Sequence, residues 1–581
     1  MQIRYARHLL LALFTASCRG SADDTHSESG PLDSGEPAVI DDFEDISAHP
    51  NVFEAHLTAR EGMIKIDGEP ATLLTYGGRL PGPEIRLTQG DRLIVHLKNE
   101  LPEDFSTTIH WHGIEGTNSM DGTQVSQMPV APGDSFTYDF IVPRPGIFWY
   151  HPHIRGAQSV FSGLYGALIV DDPDEATLEE MGILPKERST LVLSDISTWN
   201  GAPTSAEVDN AMETMNGTEG STLLVNGETN PTIAVKAGGA IRLQVLNSSI
   251  TRFYRLRVAG HNLYRVGGEG GLLDSVRVEG GTVPAITEDE RGNPLQTTTM
   301  DLGFSKGEIL LGPAQRADVI LVPEGQVGDT LTLEWLDYAR GRHGMWMEGE
   351  SMVMGDAEDD GLRESIDIAS FTLVNGGSSD FSISEGDPIL AALNREVGRL
   401  DTSGDLVDFT GSARTELQGR MDMWTDSDGV WQMETAFSID DETWSMQMMG
   451  GPGQPEAPTA KRVRIGDTVQ WEVHNSTSMA HPWHLHGFSF QPTAYLRNDS
   501  AAHDHANGTT NSDAAPHYTR WTVDHNEFLD TALIPPNTSL FYNVHIGDPL
   551  GTGGAAGRWL KHCHIFQHGE GGMISELIVA P

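Results

Sequence analysis

Three segments of the chain share one pattern that decides the fold: GDRLIVHLKN at residues 90–99, GGAIRLQVLN at 238–247 and GDTVQWEVHN at 466–475. In each segment a glycine-containing turn leads into an apolar or alternating run that ends at asparagine. Short runs of this kind after a turn are typical of β-strands. The copies recur at domain-sized intervals, so we predict three related β-domains rather than a solenoid.

The composition agrees with an all-β chain in which each domain is a Greek-key β-sandwich. The 581 residues include 64 Gly and 31 Pro, which favour short strands and turns over long helices. We expect the first domain at residues 50–173, the second at 174–376 and the third at 377–581.

The first 49 residues are expected to lie outside these domains. Arg4 and Arg7 precede a short apolar run and a small pair before Cys18, which is typical of a secretory signal peptide over residues 1–18. Cleavage before Cys18 would yield a lipoprotein, and ordinary cleavage nearby is the alternative. Residues 19–49 carry nine Asp and Glu against one Arg and predict a disordered acidic tether. We therefore expect export to the cell envelope, either the periplasm or the outer surface.

The overall charge excludes a nucleic-acid partner. Lys and Arg number 37 and Asp and Glu number 83, a formal net charge of −46 that leaves no cationic footprint. No apolar run approaches the ~20 residues that span a bilayer, so membrane attachment is expected only through a lipid on Cys18. Since Cys18 and Cys563 are the two cysteines and lie at opposite ends of the chain, a disulfide scaffold is also excluded.

Four short motifs each contain a His-x-His pair: HWH at 110–112, HPH at 151–153, HLH at 484–486 and HCH at 562–564. Residues two apart in a strand face the same side, so each pair presents two imidazoles side by side. Imidazole binds copper, zinc, iron and nickel. Two pairs fall in the first predicted domain and two in the third, so a shared metal site requires the two ends of the chain to meet.

The last motif places a thiol between two histidines. Cys563 faces the opposite side of its strand from His562 and His564, so the thiolate and the imidazoles would bind different metal ions and connect them. A Cys, two His and a weak Met ligand describe a blue-copper site, here Cys563, His481, His568 and Met573. Zinc is the competing metal, but it has no redox role and does not need so many ligands.

Together the motifs resemble those of the multicopper oxidase family, of the laccase-like and cuprous-oxidase kind. The resemblance covers about residues 50–581 and rests on HWHG, HPH, HPWHLHG and HCHIFQHGEGGM. It implies three consecutive cupredoxin-like domains, with copper in the first and third. The implied cofactors are four copper ions, one of type 1, one of type 2 and two of type 3.

The resemblance also implies a role for each ligand. The type 1 ion would be held by His481, Cys563, His568 and Met573. The type 2 ion would be held by His110 and His484. One type 3 ion would be held by His112, His151 and His564, and the other by His153, His486 and His562. Asp121 matches an acid that supplies protons to the cluster in similar enzymes, with a turn-forming Asp-Gly as the alternative. The expected catalytic residues are therefore Asp121, Cys563, His562 and His564.

One position departs from the family pattern. Several bacterial relatives carry Glu directly after the second type 1 histidine, where it assists protonation of reduced oxygen. This chain has Gly569 there, and Glu570 follows one residue later. The axial Met573, rather than Leu or Phe, implies a lower-potential type 1 site.

The implied activity is the coupling of four one-electron oxidations of a small reductant to the reduction of O2 to water. We predict a laccase-like enzyme acting on phenols or aromatic amines. The alternatives are a cuprous oxidase in copper tolerance and a non-catalytic copper-binding lipoprotein, which would not need the cysteine bridge. Thioether clusters favour Cu(I), although methionine also fills gaps in a core. The clustered methionines are Met345, Met347, Met352, Met354, Met421, Met423, Met433, Met446, Met448 and Met449.

Overall fold

The repeated segment forms a central strand in each of three β-sandwiches, flanked by the same neighbours each time. Residues 90–99 contain β4, 238–247 contain β14 and 466–475 contain β29 (bounds below). Each of these strands pairs in parallel with a strand earlier in the chain and antiparallel with a later one. The predicted relation between the three domains is therefore visible in their strand pairing.

The asparagine that ends each repeat has the same structural role in all three domains. The side-chain amides of Asn99, Asn247 and Asn475 each donate to at least two backbone carbonyls of neighbouring loops. Each Oδ1 accepts the backbone N–H two residues on. One buried amide thus satisfies several backbone groups at the point where the strand ends.

The computed structural model describes residues 44–206, 211–341, 343–348, 351–356, 362–376, 381–401, 414–425, 431–445, 452–499 and 517–581. The predicted signal peptide, Cys18, most of the tether and Met446, Met448 and Met449 lie outside the described residues. Every element below belongs to one unit, residues 37–581. Among the described residues, none of the helices combines the length and the apolar run needed to cross a membrane.

The first sandwich consists of two four-stranded sheets, β2-β1-β4-β6 and β3-β8-β7-β5. Leu93, Val95 and Leu97 alternate inward along β4 and are fully buried. The strands are β1 Val52–Ile66, β2 Glu69–Tyr76, β3 Gly82–Thr88, β4 Arg92–Glu100, β5 His110–His112, β6 Ser135–Ile141, β7 Gly146–His151 and β8 Gly166–Asp171. A 3-10 turn spans Asn118–Met120, and α1 spans Gly156–Phe161.

The second sandwich consists of a six-stranded sheet, β12-β9-β14-β21-β16-β17, and a five-stranded sheet, β13-β25-β22-β15-β20. Its helices are α2 Glu175–Glu180 and α3 Ala211–Asn216. Its strands are β9 Arg188–Ile196, β10 Thr198–Trp199, β11 Ala202–Pro203, β12 Thr222–Val225, β13 Thr232–Lys236, β14 Ile241–Asn247, β15 Tyr254–Val258, β16 Leu263–Gly268, β17 Gly271–Arg277, β18 Thr282–Glu288, β19 Pro294–Asp301, β20 Ile309–Leu311, β21 Arg316–Leu321, β22 Thr330–Leu336, β23 His343–Glu348, β24 Ser351–Asp356 and β25 Ile366–Val374.

The third sandwich consists of a five-stranded sheet, β28-β36-β35-β30-β33, and an eight-stranded sheet, β19-β18-β32-β31-β34-β29-β26-β27, to which the second domain contributes β18 and β19. A 3-10 turn at Leu390–Leu393 precedes it, and α4 spans Phe566–Glu570. Its strands are β26 Arg414–Thr425, β27 Trp431–Ile439, β28 Lys461–Arg464, β29 Thr468–Asn475, β30 His481–Leu485, β31 Phe490–Asn498, β32 Tyr518–Thr522, β33 Thr531–Ile534, β34 Thr538–His545, β35 Gly557–Cys563 and β36 Ile574–Ala580.

Candidate metal centre

Strand pairing brings the four His-x-His pairs together. In the first domain β5 lies antiparallel to β7, with His110 opposite His151. In the third domain β30 lies antiparallel to β35, with His484 opposite His562. The two domains meet at this point, since the rings of His112 and His484 stack with centroids 3.8 Å apart. The eight histidines thus form one buried cluster built from both ends of the chain.

Several groups of side chains converge closely enough to hold metal ions. Within each group the donor atoms lie within 4.8 Å of one another. The groups are His110 with His112 and His151, His110 with His484 and His486, His153 with His486 and His562, His481 with Cys563 and His568, and His112 with His484 and Asp530. The third group is one of the type 3 ligand sets that the resemblance implies, and the fourth contains the type 1 ligands other than Met573.

The hydrogen bonds leave one nitrogen of most rings facing the cluster. The Nδ1–H groups of His110, His151, His484 and His562 donate to the backbone carbonyls of Asp121, Pro152, Asp530 and Cys563, at 2.8 to 3.0 Å. Among the described residues, the cluster ring nitrogens that are buried without a hydrogen-bond partner are Nε2 of His110, His151 and His484, Nδ1 of His112 and His153, and both nitrogens of His564. Buried polar atoms are costly when unpaired, and carbonyl-anchored imidazoles with a free inner nitrogen are typical of metal ligands. The donor set therefore fits copper.

Burial also keeps these imidazoles neutral. Desolvation is the main cause that lowers the pKa of nine histidines, and it brings the pKa of His481 and His562 to about 3. Charge repulsion from neighbouring histidines adds to the effect in the cluster. Neutral imidazole is the form that binds metal. The nine are His112, His151, His153, His481, His484, His486, His562, His564 and His568.

Cys563 lies on the other side of β35, in a second group. Its Sγ is 3.3 Å from Nδ1 of His481 and 3.7 Å from Nδ1 of His568. The outer nitrogens are anchored, because Nε2 of His481 lies 2.8 Å from the Thr477 hydroxyl and Nε2–H of His568 donates to the Met215 carbonyl at 2.9 Å. All three donor atoms therefore point at one another. Burial raises the pKa of the Cys563 thiol well above its usual range, so a bound metal ion would have to displace that proton.

The Cys563 group is covered by other parts of the chain. His568 is fully buried; the Phe437 ring lies 4.2 Å from its ring, and α3 supplies the Met215 carbonyl. Met573 is also fully buried in the same apolar cluster. A reductant must therefore reach this group through its cover rather than by touching His568 directly.

Asp121 lies against the histidine cluster as well as in a turn. Both of its carboxylate oxygens are 3.2 Å from Nδ1 of His486, and Oδ1 is 3.3 Å from Nδ1 of His110. Gly122 has φ +78°, and a Cβ there would collide with the carbonyl of Ile109. Asp121 also lines a narrow cleft, together with Trp111 and Trp559. The turn and the contact with the cluster are therefore compatible.

A second narrow cleft reaches the cluster histidines themselves. It is lined by His151, His153, His562, Cys563, His564, Phe566, Gly569, Glu570 and Ile574. Glu570, the carboxylate displaced by one residue from the family position, accepts the Ala157 N–H at the start of α1 at 2.9 Å. The acid thus lies beside the cleft and joins α4 to the first domain.

The structure adds three charged residues that the motifs did not reveal. Asp530 Oδ1 accepts a hydrogen bond from Nε2–H of His112 at 2.9 Å. Arg316 and Glu269, both from the second domain, hold Asp530 in place. Each is buried, which is rare for charged side chains unless they are paired. The residues around them in the sequence show no spacing typical of metal ligands. The one feature that could have identified them is a charged residue at the end of an apolar strand.

Sequence models of the family described as "Multicopper oxidase" match residues 58–175 and 428–581. The chain belongs to the multicopper oxidase family. Multicopper oxidase MmcO of Mycobacterium tuberculosis is 25% identical over 94% of this chain and 90% of the relative. Laccase-2 of Botryotinia fuckeliana is 25% identical over 97% of this chain and 87% of the relative.

A solved structure agrees with the fold. The multicopper oxidase of Campylobacter jejuni, described as a metallo-oxidase, matches with a TM-score of 0.63 at 23% identity, over 94% of both chains. The prediction of an all-β multicopper oxidase with three cupredoxin-like domains is confirmed. As a member of this family the protein is a copper-containing oxidoreductase that uses O2 and a reductant.

Proposed function

We propose that this multicopper oxidase is laccase-like and passes electrons from phenols or aromatic amines to O2, which it reduces to water. One observation carries the proposal. The thiol of Cys563 faces His481 and His568 while its chain neighbours His562 and His564 face the eight-histidine cluster. A single strand thus joins an electron-accepting site to an oxygen-reducing site. The similarity to a laccase over most of the chain supports the substrate class.

The proposed ligand sets are those implied by the motifs. His481, Cys563, His568 and Met573 would hold a type 1 copper ion. The eight cluster histidines would hold one type 2 and two type 3 ions, four copper ions in all. Bound copper supplies one-electron redox chemistry and the binding of O2. The protein buries these imidazoles, anchors the outer nitrogen of most of them and leaves two narrow clefts near the cluster.

Asp121 is the proposed proton donor to the cluster, since it contacts His486 and His110 and borders a cleft. Asp121→Asn should slow O2 reduction by about 10²–10⁴-fold, the usual contribution of general acid catalysis. Reduction of the blue site by substrate should change little, because that step consumes no proton. Stopped-flow absorbance and O2 uptake measure the two half-reactions separately.

Asp134→Asn is the matched control, since Asp134 is an exposed acid of the same domain. It should leave both half-reactions unchanged. If Asp121→Asn slows both half-reactions equally, Asp121 only forms the turn and is not the proton donor.

A cuprous oxidase is the second candidate, favoured by the hairpin β23–β24. Its register places Met345 opposite Met354 and Met347 opposite Met352. The four methionines therefore occupy paired positions of one hairpin, and thioether favours Cu(I). The cover over His568 also suits a small donor.

Replacing these four methionines by leucine separates the two candidates. If the hairpin guides Cu(I), its oxidation should fall severalfold while phenol oxidation is unchanged or rises, since leucine conserves volume. Steady-state kinetics on both substrates measure the effect. The exposed Met63 and Met128, replaced in the same way, serve as controls. Unchanged Cu(I) kinetics would show that the hairpin does not guide Cu(I). An equal loss of activity on both substrates would show that the four methionines only contribute to packing.

We propose the cell envelope as the site of action, because the N-terminal residues combine a signal-like segment with an acidic tether. Lipidation at Cys18 is the proposed means of anchoring.

A further inference from the structure

Arg316 is a fully buried cation at the junction of the three domains. It begins β21 of the second domain, which supplies none of the proposed copper ligands. Its Nε donates to the Ile147 carbonyl of the first domain at 2.6 Å, and Nη1 donates to Asp530 of the third domain at 2.8 Å. Nη2 forms a second bond to Asp530. Gly113, directly after His112, leaves the space that the pair needs, since a Cβ there would collide with both side chains.

Asp530 in turn touches two cluster histidines in different ways. Its Oδ1 accepts Nε2–H of His112 at 2.9 Å, whereas its backbone carbonyl accepts Nδ1–H of His484 at 2.9 Å. The Thr531 hydroxyl lies 3.1 and 3.2 Å from the same two nitrogens. The contacts therefore select opposite tautomers, leaving Nδ1 of His112 and Nε2 of His484 as the inner atoms. Both are among the unpartnered nitrogens.

A second carboxyl group, from Glu269 of the second domain, fixes the backbone at Asp530. Glu269 Oε2 accepts the N–H of Asp530 at 2.9 Å and that of Thr531 at 3.0 Å. Its Oε1 lies 3.4 Å from Nη1 of Arg316. Two buried carboxyl groups, Glu269 and Asp530, thus lie against one guanidinium.

We propose that Arg316 is a positioning residue for the trinuclear part of the metal centre. Its bidentate fork holds the Asp530 carboxylate that selects the tautomer of His112, next to the Asp530 backbone carbonyl that selects the tautomer of His484. This inference rests on the proposed function. Because Arg316 belongs to the second domain, that domain is needed to build the trinuclear site although it supplies no ligand to it. The trinuclear site is therefore complete only when all three domains are docked.

A purely structural ion pair is the competing explanation, and the same sheet supplies a matched control. Arg242 on β14, the neighbour of β21, is also buried and is paired with Asp318 and Glu175 at 2.8 and 2.9 Å. Within the part of the chain that the structure describes, its guanidinium bonds to these two carboxylates and not to a cluster histidine. Replacing Arg242 therefore measures how the loss of a buried ion pair affects the fold when no cluster histidine is involved.

The experiment compares Arg316→Met, Arg316→Lys and Arg242→Met in the full, copper-loaded chain. Copper affinity is measured by competition with a Cu(II) chelator, and the sites are distinguished by type 2 electron paramagnetic resonance and by the blue type 1 absorption. Arg316→Met should lower the affinity of the trinuclear ions by about 10–100-fold, the usual effect of losing an outer partner of a metal ligand. Arg316→Lys keeps the charge but lacks the fork and should fall between Arg316→Met and the unsubstituted protein. The blue band should persist in both.

An unchanged type 2 signal and copper affinity in Arg316→Met would overturn the proposal. So would equal loss of the type 1 and type 2 signals in Arg316→Met and Arg242→Met, which would indicate a general loss of fold. If Arg316→Met does not fold, Arg316→Lys decides, and an affinity equal to that of the unsubstituted protein refutes the inference. If the unsubstituted protein shows neither signal, the proposed function itself fails and the inference falls with it.

Discussion

Cys563→Ser will lose the intense visible absorption band and the oxidase activity together. The band requires a copper–thiolate bond, and the thiol lies 3.3 and 3.7 Å from the Nδ1 atoms of His481 and His568. A serine hydroxyl is a harder and far less acidic ligand that does not replace this bond. Activity should fall below detection, because the strand that joins the two sites then lacks its electron-accepting end. Absorption spectroscopy and O2 uptake with a reducing dye measure the two losses.

The eight-histidine cluster should survive this substitution. Cys563 faces the opposite side of β35 from His562 and His564, so type 2 electron paramagnetic resonance should persist in Cys563→Ser. Met573→Leu is the matched control, since it alters the same buried cluster but keeps the thiol; its band should remain and its reduction potential should rise. A blue and active Cys563→Ser protein would contradict the proposed type 1 site.

Removing copper will make the protein strongly acid-labile below about pH 6.5. Burial is the first cause of the lowered pKa of nine histidines, so below their unfolded pKa of about 6.5 the unfolded chain binds more protons than the folded one. Their contribution to stability is therefore complete above that pH and is lost as the pH falls towards the folded pKa values. Each such histidine lowers the free energy of unfolding by up to about 1.4 kcal/mol for each pH unit below about 6.5. Three of the nine would remove about 4 kcal/mol over one unit, a large part of a typical 5–15 kcal/mol.

Denaturant unfolding of the copper-free and copper-loaded protein between about pH 7.5 and 5.5 measures this effect. Copper occupies the same lone pairs, so the loaded protein should retain its stability further into acid. His153→Gln combined with His486→Gln should reduce the pH dependence, whereas His49→Gln, at an exposed position, should not. A copper-free protein whose free energy of unfolding is the same at both ends of this range would show that the cluster histidines are not buried as described.

The sequence by itself determined the fold class and predicted which residues form the candidate metal centre. The repeated strand ending at Asn99, Asn247 and Asn475 works through local rules, since alternation buries one face and a terminal amide satisfies nearby backbone groups. The grouping of the His-x-His pairs and the opposite orientation of Cys563 could be predicted for the same reason. Successive residues of a strand face opposite sides whatever surrounds the strand. Their roles as copper ligands of particular types remain predictions.

Only the tertiary structure decided which nitrogen of most of these imidazoles faces the candidate metal centre and which residues cover that centre. Glu269, Arg316 and Asp530 come from two domains and carry no spacing that marks them as partners. The Met215 carbonyl that anchors His568 is a backbone group, which every residue possesses. These choices depend on hydrogen bonds between distant segments, formed where docking removes water and leaves each buried polar atom to find a partner in another domain. No periodicity along the chain encodes such contacts.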